Sequence, residues 1–131
     1  MYLLDTNAVI AVLKGSDTPL SRMKAVAPQD VAISSIVAHE LYYGAYRSSR
    51  VEENLSRVDR LRFRTLEFDR DDARCAGEIR AGLARDGIPI GPYDVLIAGQ
   101  ALSRSLILVT RNGREFSRIA GLKIENWEGP P

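Results

Sequence analysis

Three acids far apart in the sequence, Asp5, Glu40 and Asp94, have the spacing and surroundings best suited to chemistry in this 131-residue chain. Asp5 directly follows the apolar run Tyr2-Leu3-Leu4. Glu40 sits within the mostly apolar stretch Ala38 to Tyr43, where an unpaired carboxylate is costly unless something binds it. Asp94 follows the stiff, largely apolar approach Ile88-Pro89-Ile90-Gly91-Pro92-Tyr93. Thr110 and Asn112 follow a further apolar run, Leu106 to Val109. Carboxylates gathered at one place repel one another and raise each other's pKa, so such a cluster calls for a cation. One histidine, His39, and one cysteine, Cys75, cannot build a multi-histidine or cysteine-clustered zinc centre. Any metal must therefore be held by oxygen, which selects hard ions such as Mg²⁺ or Mn²⁺. Each acid also has a plain structural role open to it: Asp5 as a helix N-cap, Glu40 on a polar helix side, and Asp94 at a helix N-terminus favoured by the dipole.

The elements around these residues decide whether they meet. Tyr2 to Leu4 reads as a strand, with Asp5-Thr6-Asn7 as a polar turn into a helix over Ala8 to Leu13, ended by Lys14-Gly15. Val31 to Ile33 reads as a second strand, with Ser34 or Ser35 capping a helix that carries Glu40. Ser49-x-x-Glu52 has the capping-box pattern and opens an amphipathic helix with Val51, Leu55, Val58 and Leu61 on one face. Leu66 and Phe68 suggest a third strand. A long helix follows to Arg85, with Ala73, Ala76, Ile79 and Leu83 as its inner stripe and Gly87 as its stop. Pro92 suits the first turn of a helix in which Ile97, Ala98, Ala101 and Leu102 face inward. Leu106 to Val109 is a buried strand, Phe116 to Ile119 a short helix, and Leu122 to Glu125 a last strand, with Trp127 covering an edge of the core. Strands separated by helices imply parallel pairing through right-handed crossovers, hence a three-layer α/β/α fold with a mainly parallel sheet. In such sheets ligands bind beyond the carboxyl ends of the strands, the edge to which all three acids map.

Length and composition predict one domain over residues 1–131, since 45% hydrophobic and 27% charged residues are the proportions of an ordinary globular chain. No apolar run approaches the ~18 residues of a membrane span, and Asp5 and Asn7 interrupt the stretch where a signal peptide would be apolar, which points to the cytoplasm. The net charge of +1 advertises no nucleic-acid partner, although fifteen of the eighteen basic residues are arginines, whose planar fork suits phosphate. His39 adjoins Glu40, but helix neighbours point about 100° apart, so a surface or packing role is expected for it. Cys75 is expected to be a small packed residue.

Leu3-Leu4-Asp5-Thr6-Asn7, Glu40-Leu41 with Tyr43-Gly44-Ala45, Gly91-Pro92-Tyr93-Asp94 with Leu96-Ile97-Ala98, and Val109-Thr110-Arg111-Asn112 with Arg114-Glu115-Phe116 together resemble the PIN-domain ribonucleases of the VapC toxin type. The ending Ile119 to Trp127 is similar to theirs as well. The resemblance runs in order over nearly the whole chain. It implies a Mg²⁺-dependent endoribonuclease, toxic when free, held inactive by a small antitoxin protein and assembled as a homodimer. It implies that Asp5, Glu40 and Asp94 are the metal-binding acids. Many relatives have a fourth acid after the strand that ends here at Thr110; this chain has Asn112 there, counted with Asp5, Glu40 and Asp94 among the catalytic residues, with Glu115 one turn further on, so a second metal ion would be weakly held or absent. Thr6, Asn7 and Thr110 match positions that orient carboxylates and waters. Asp5 and Asp94 would hold the ion and Glu40 would help to bind it and orient the attacking water, while Arg111 or Arg114 on the rim would hold RNA phosphates. Val12, Leu20, Val37 and Leu41 would offer part of an apolar groove for an amphipathic partner helix.

Two rival α/β readings also place an Asp after the first strand. A haloacid-dehalogenase-like phosphotransferase needs a second acid where Asn7 stands, and a receiver domain needs a late lysine that Lys14, Lys24 and Lys123 do not supply. A non-catalytic α/β binding or signalling module with a residual acidic site is the remaining alternative.

Overall fold

The computed structural model describes residues 1–128, so the end of the unit expected over residues 1–131 lies outside the described residues. Among the described residues there are five strands: β1 (Tyr2–Leu4), β2 (Val31–Ser34), β3 (Arg64–Leu66), β4 (Ile107–Val109) and β5 (Lys123–Glu125). They alternate with α1 (Thr6–Leu13), α2 (Asp17–Lys24), α3 (Ser35–Arg47), α4 (Val51–Asp59), α5 (Arg70–Arg85), α6 (Pro92–Ser103) and α7 (Gly113–Phe116). The sheet order is β3-β2-β1-β4-β5, and all four pairings are parallel. The chain moves outward on one side of β1 through β2 and β3, then crosses back to build β4 and β5 on the other side. Right-handed crossovers therefore put α1 to α4 on one face of the sheet and α5 to α7 on the other. The direction reverses between β1 and β4, which opens a crevice beyond their carboxyl ends.

Strand interiors are apolar because both sheet faces are covered. Leu3, Leu4, Ala32, Leu108 and Val109 are wholly buried, joined by Val9 and Val37 from one helical layer and Ile97, Ala98 and Phe116 from the other. Trp127 closes one side against the Tyr2 ring, 5.4 Å between centroids, as expected.

Several local expectations shift. α2 was not foreseen, because Asp17–Lys24 contains Pro19 and has little apolar character. Ser49 caps nothing. The residue before α4 is Arg50, with no side-chain cap, and the join is made instead by Asn54 Nδ2 donating to Ser48 Oγ at 2.9 Å. Phe68 lies beyond β3, and the last short helix comes earlier than Phe116 to Ile119. On α5 the inner stripe takes Asp72 in place of Ala73, which is exposed.

The approach of α5 to α6 depends on one glycine. A Cβ at Gly99 would lie 2.5 Å from Ala76 Cβ and 2.6 Å from Ala76 Cα, so the backbones themselves would have to separate. Gly99→Ala is expected to destabilise the protein by about 3 kcal/mol, the upper range of overpacking. In thermal denaturation this corresponds to a fall in Tm of roughly 10 °C; an unchanged Tm would show that the two helices can part at no cost.

Candidate active site

Asp5 is fixed at the sheet by its backbone, whose N–H donates to the Val109 carbonyl at 3.0 Å, so the residue after β1 is bound to the end of β4. Its side chain is the N-cap of α1 and accepts from the Ala8 N–H at 2.9 Å. The structural role open to Asp5 is thus filled, yet its carboxylate also lies in the crevice and is only 3% exposed at the residue level. Burial raises its pKa above the ordinary value. Hydrogen bonds from the Thr110 hydroxyl and Ala8 N–H work against this, Glu128 adds to the rise and Arg111 opposes it.

Glu40 is half-buried on α3, reached by the Ser34 cap that starts this helix directly after β2. Thr6, at the start of α1, donates from Oγ1 to Glu40 Oε1 at 2.9 Å, which ties the second acid to the residue next to the first. Asp94 stands in the first turn of α6, with Pro92 at the helix start as expected. Its pKa is pushed up to about 6, by burial first and then by the negative charges of Asp5, Glu115 and Glu40. The three acids predicted from sequence therefore share one electrostatic site.

Asn112 is engaged through its main chain. Its N–H donates to Thr110 Oγ1 at 3.0 Å, and its carbonyl accepts from the Glu115 and Phe116 N–H groups as α7 begins. Its side chain makes no capping hydrogen bond. The acid of this segment that acts on Asp94 is Glu115. Thr110 is buried and links Asn112 to Asp5, which makes it the positioning residue the sequence suggested. Glu128 was missed by sequence reasoning; it acts on Asp5 and lies 4.0 Å from Arg111. Its position just past the last strand, at the same sheet edge, was the available signal.

Among the described residues none of Asp5, Glu40, Asp94 and Glu115 has a basic side chain within 4.0 Å. Nor do three or more His, Cys, Asp or Glu side chains close into a ready-made coordination group. Both facts suit carboxylates that repel one another, Asp5 held by the Ala8 N–H and the Thr110 hydroxyl and Glu40 by the Thr6 hydroxyl. The donor set is all oxygen, and its uncompensated charge fits a hard divalent ion.

The PIN domain family matches residues 2–122. Over 128 residues the chain is 44% identical to the "tRNA(fMet)-specific endonuclease VapC" of Salmonella typhimurium, covering 96% of this chain and 97% of that one. It is 41% identical over 133 residues to "Ribonuclease VapC2" of Rickettsia felis, covering 98% of each. In three dimensions it is similar to the Rickettsia felis VapBC2 structure solved with a DNA fragment from their promoter, at a TM-score of 0.91 and 37% identity, covering 96% of this chain and 98% of that one. The match spans both helical layers, the sheet and the acids after β1, on α3 and on α6; the chain belongs to the PIN domain family.

Proposed function

We propose that residues 1–131 form one PIN-type nuclease domain that hydrolyses RNA phosphodiester bonds with a divalent metal ion, Mg²⁺ or Mn²⁺, as the toxin of a toxin-antitoxin pair. The observation that carries this reading is Asp94, whose pKa is lifted to about 6 by burial and three surrounding carboxylates, with no basic side chain among the described residues within ion-pair distance. Asp5 and Asp94 hold the ion and Glu40 helps to hold it, its carboxylate oriented by the Thr6 hydroxyl. When bound, such an ion polarises a phosphate oxygen and lowers the pKa of a bound water. Thr110 and the Ala8 N–H hold Asp5 in place. Arg111, exposed on the rim, is placed to pair a substrate phosphate. Asn112, expected among the catalytic residues, acts by shaping the turn that presents Thr110 and Glu115. The tRNA(fMet) in the name of the Salmonella relative makes a tRNA loop the first substrate to assay. An RNA substrate places the activity in the cytoplasm; among the described residues no helix is long and apolar enough to cross a membrane.

The partner reading rests on a groove between α1, α3 and α4. Ile10, Leu13, Leu41 and Val58 line it, and Glu40 stands within its wall. It suits one apolar helix face of an antitoxin, which would also cover the acid site. Of the residues expected there, Leu41 lines the groove, Val12 and Leu20 lie outside its lining, and Val37 is wholly buried in the core and unavailable to any partner. A homodimer is part of the same reading.

The test is metal removal. RNA cleavage is expected to cease in EDTA and to return on adding Mg²⁺ or Mn²⁺ in excess of the chelator. Undiminished cleavage by metal-free protein in chelator would overturn the mechanism and favour a different nuclease chemistry.

A further inference from the structure

Among the described residues two buried side-chain oxygens accept no hydrogen bond, Gln100 Oε1 and Glu128 Oε2. Gln100 is uncharged and wholly enclosed in the core, and its amide nitrogen donates to the Leu66 and Glu67 carbonyls. Glu128 is an acid, and a carboxylate oxygen kept from water without a donor is far costlier than an amide oxygen. Its other oxygen, Oε1, lies 4.0 Å from an Arg111 terminal nitrogen, within ion-pair distance but beyond hydrogen-bond reach. The side chain as a whole is 27% exposed, so it stands at a rim and not in the core. The sheet decides which rim. β5 pairs with β4 in parallel, Val109 opposite Glu125, and the Thr110 N–H donates to the Glu125 carbonyl at 2.9 Å. Residues 126–128 therefore leave the sheet at the same edge as Thr110 to Asn112, next to the end of β1 where Asp5 stands. Their course is anchored. Trp127 is buried against the Tyr2 ring, and its Nε1–H donates to Glu125 Oε1 at 3.1 Å. The Asn126 carbonyl accepts from Arg22 on α2, and the Asn126 side-chain oxygen accepts from the Glu128 N–H at 2.9 Å, closing an Asx turn. The charge this turn presents is felt by Asp5.

Resting on the metal-dependent reading of the acid site, we propose that Glu128, on the anchored turn after β5, is a further carboxylate of that site and holds the divalent ion together with Asp5. Its unpartnered Oε2 is the donor atom, a hard anionic oxygen of the kind such ions select. The turn after β4 brings an amide to this edge, Asn112, whose side chain caps nothing. The turn after β5, one strand over, supplies the charge that the turn after β4 lacks. The competing account is that Glu128 exists to hold Arg111. That pair, 4.0 Å apart without a hydrogen bond and with the arginine 56% exposed, is too loose to explain a buried, unpartnered oxygen on the acid.

The experiment uses the full chain and Mn²⁺ alone, without RNA, the bound ion being measured by loss of the electron paramagnetic resonance signal of free Mn²⁺. Glu128→Gln keeps the shape and removes the charge, and is expected to raise the Kd for Mn²⁺ about 10-fold. Glu128→Asp keeps the charge but draws it back by one bond, and should bind at least about 3-fold more weakly than the parent. The tenfold loss should persist in an Arg111→Gln background, where removal of a positive charge by itself tightens binding. In EDTA the Tm of Glu128→Gln should be no lower than the parent's, because Oε2 gives up no hydrogen bond, and Mn²⁺ should raise it by less. Parental Mn²⁺ affinity in Glu128→Gln would overturn the proposal. So would a loss that vanishes in the Arg111→Gln background, which assigns Glu128 to holding the arginine, or parental affinity in Glu128→Asp, which reduces it to a distant charge. A wild-type chain that binds no Mn²⁺ would overturn the metal-dependent reading as well, whereas binding abolished by Asp94→Asn and unaltered by Glu128→Gln removes Glu128 alone.

Discussion

Asp94→Asn is expected to make the metal-free protein more stable and its ribonuclease activity negligible. The folded protein holds a proton at Asp94 up to about pH 6, while the unfolded chain releases it near 3.8. Folding is therefore favoured by this group below about pH 4, and that contribution disappears as the pH rises through 6. At pH 7.5 the crowded carboxylate costs about 2 kcal/mol, reduced from the full shift because Asp94 is partly open to solvent. Asn keeps the shape and removes the charge. In EDTA at pH 7.5 its Tm should exceed that of the wild type by roughly 5 to 8 °C, and at pH 4 the two should coincide. Saturating Mg²⁺ should raise the wild-type Tm and leave the variant almost unmoved. Cleavage should fall about 10³-fold, equivalent to about 4 kcal/mol of transition-state stabilisation. Wild-type cleavage by the variant would remove Asp94 from the site, and equal Tm values in EDTA at pH 7.5 would show that the acids do not crowd one another.

Arg104→Ala should have the largest effect on stability, at the opposite end of α6 from Asp94. Asp72 is completely buried, and its carboxylate accepts from Arg104 Nε at 3.2 Å, from an Arg104 terminal nitrogen at 2.8 Å and from the Asp69 N–H at 2.9 Å. Burial raises the pKa of this carboxyl, but the hydrogen bonds from Arg104 and the Asp69 N–H outweigh it and hold the group below its ordinary value. Arg104 also donates to the Glu67 carbonyl, joining the end of α6 to the start of α5. Its removal leaves a buried charge without a partner, a loss of about 3 to 5 kcal/mol, or roughly 10 to 15 °C in Tm. The deficit should narrow near pH 4, where Asp72 in the variant can take up a proton. Adding Asp72→Asn should recover much of the stability at pH 7, because the amide still caps Asp69 and carries no charge. A double variant no more stable than Arg104→Ala would assign the loss to packing of the arginine stem.

The two sites differ in how far the sequence reveals them. Asp5 and Asp94 follow motifs that can be read within a few residues: an apolar run that stops, and a proline at a helix start. Asp72 lies in an expected helix, but its burial cannot be inferred from periodicity, since the arginine that permits it is 32 positions away and belongs to another helix. The apolar stripe assigned to α5 failed at Ala73 for that reason. α2 was missed because Pro19, Leu20 and Met23 give eight residues too little periodicity to signal a helix that packs on α1.

The sequence by itself determined the alternation of strands and helices and the parallel α/β class, and it singled out Asp5, Glu40 and Asp94 as candidate acids, because these depend on residue type and on periodicities within single elements. Tertiary structure decided which strands are neighbours. Only the order β3-β2-β1-β4-β5 puts the end of β1 beside the end of β4, so that Asp5 meets Thr110 and Asp94 feels Asp5, Glu40 and Glu115 together. It also decided that His39, set aside as a surface or packing residue, lies against Tyr93, 54 positions later, at the mouth of the site. The reason is physical: a helix or strand is specified by contacts a few residues apart, while convergence of distant side chains follows from how the elements pack around one core, which no local pattern encodes.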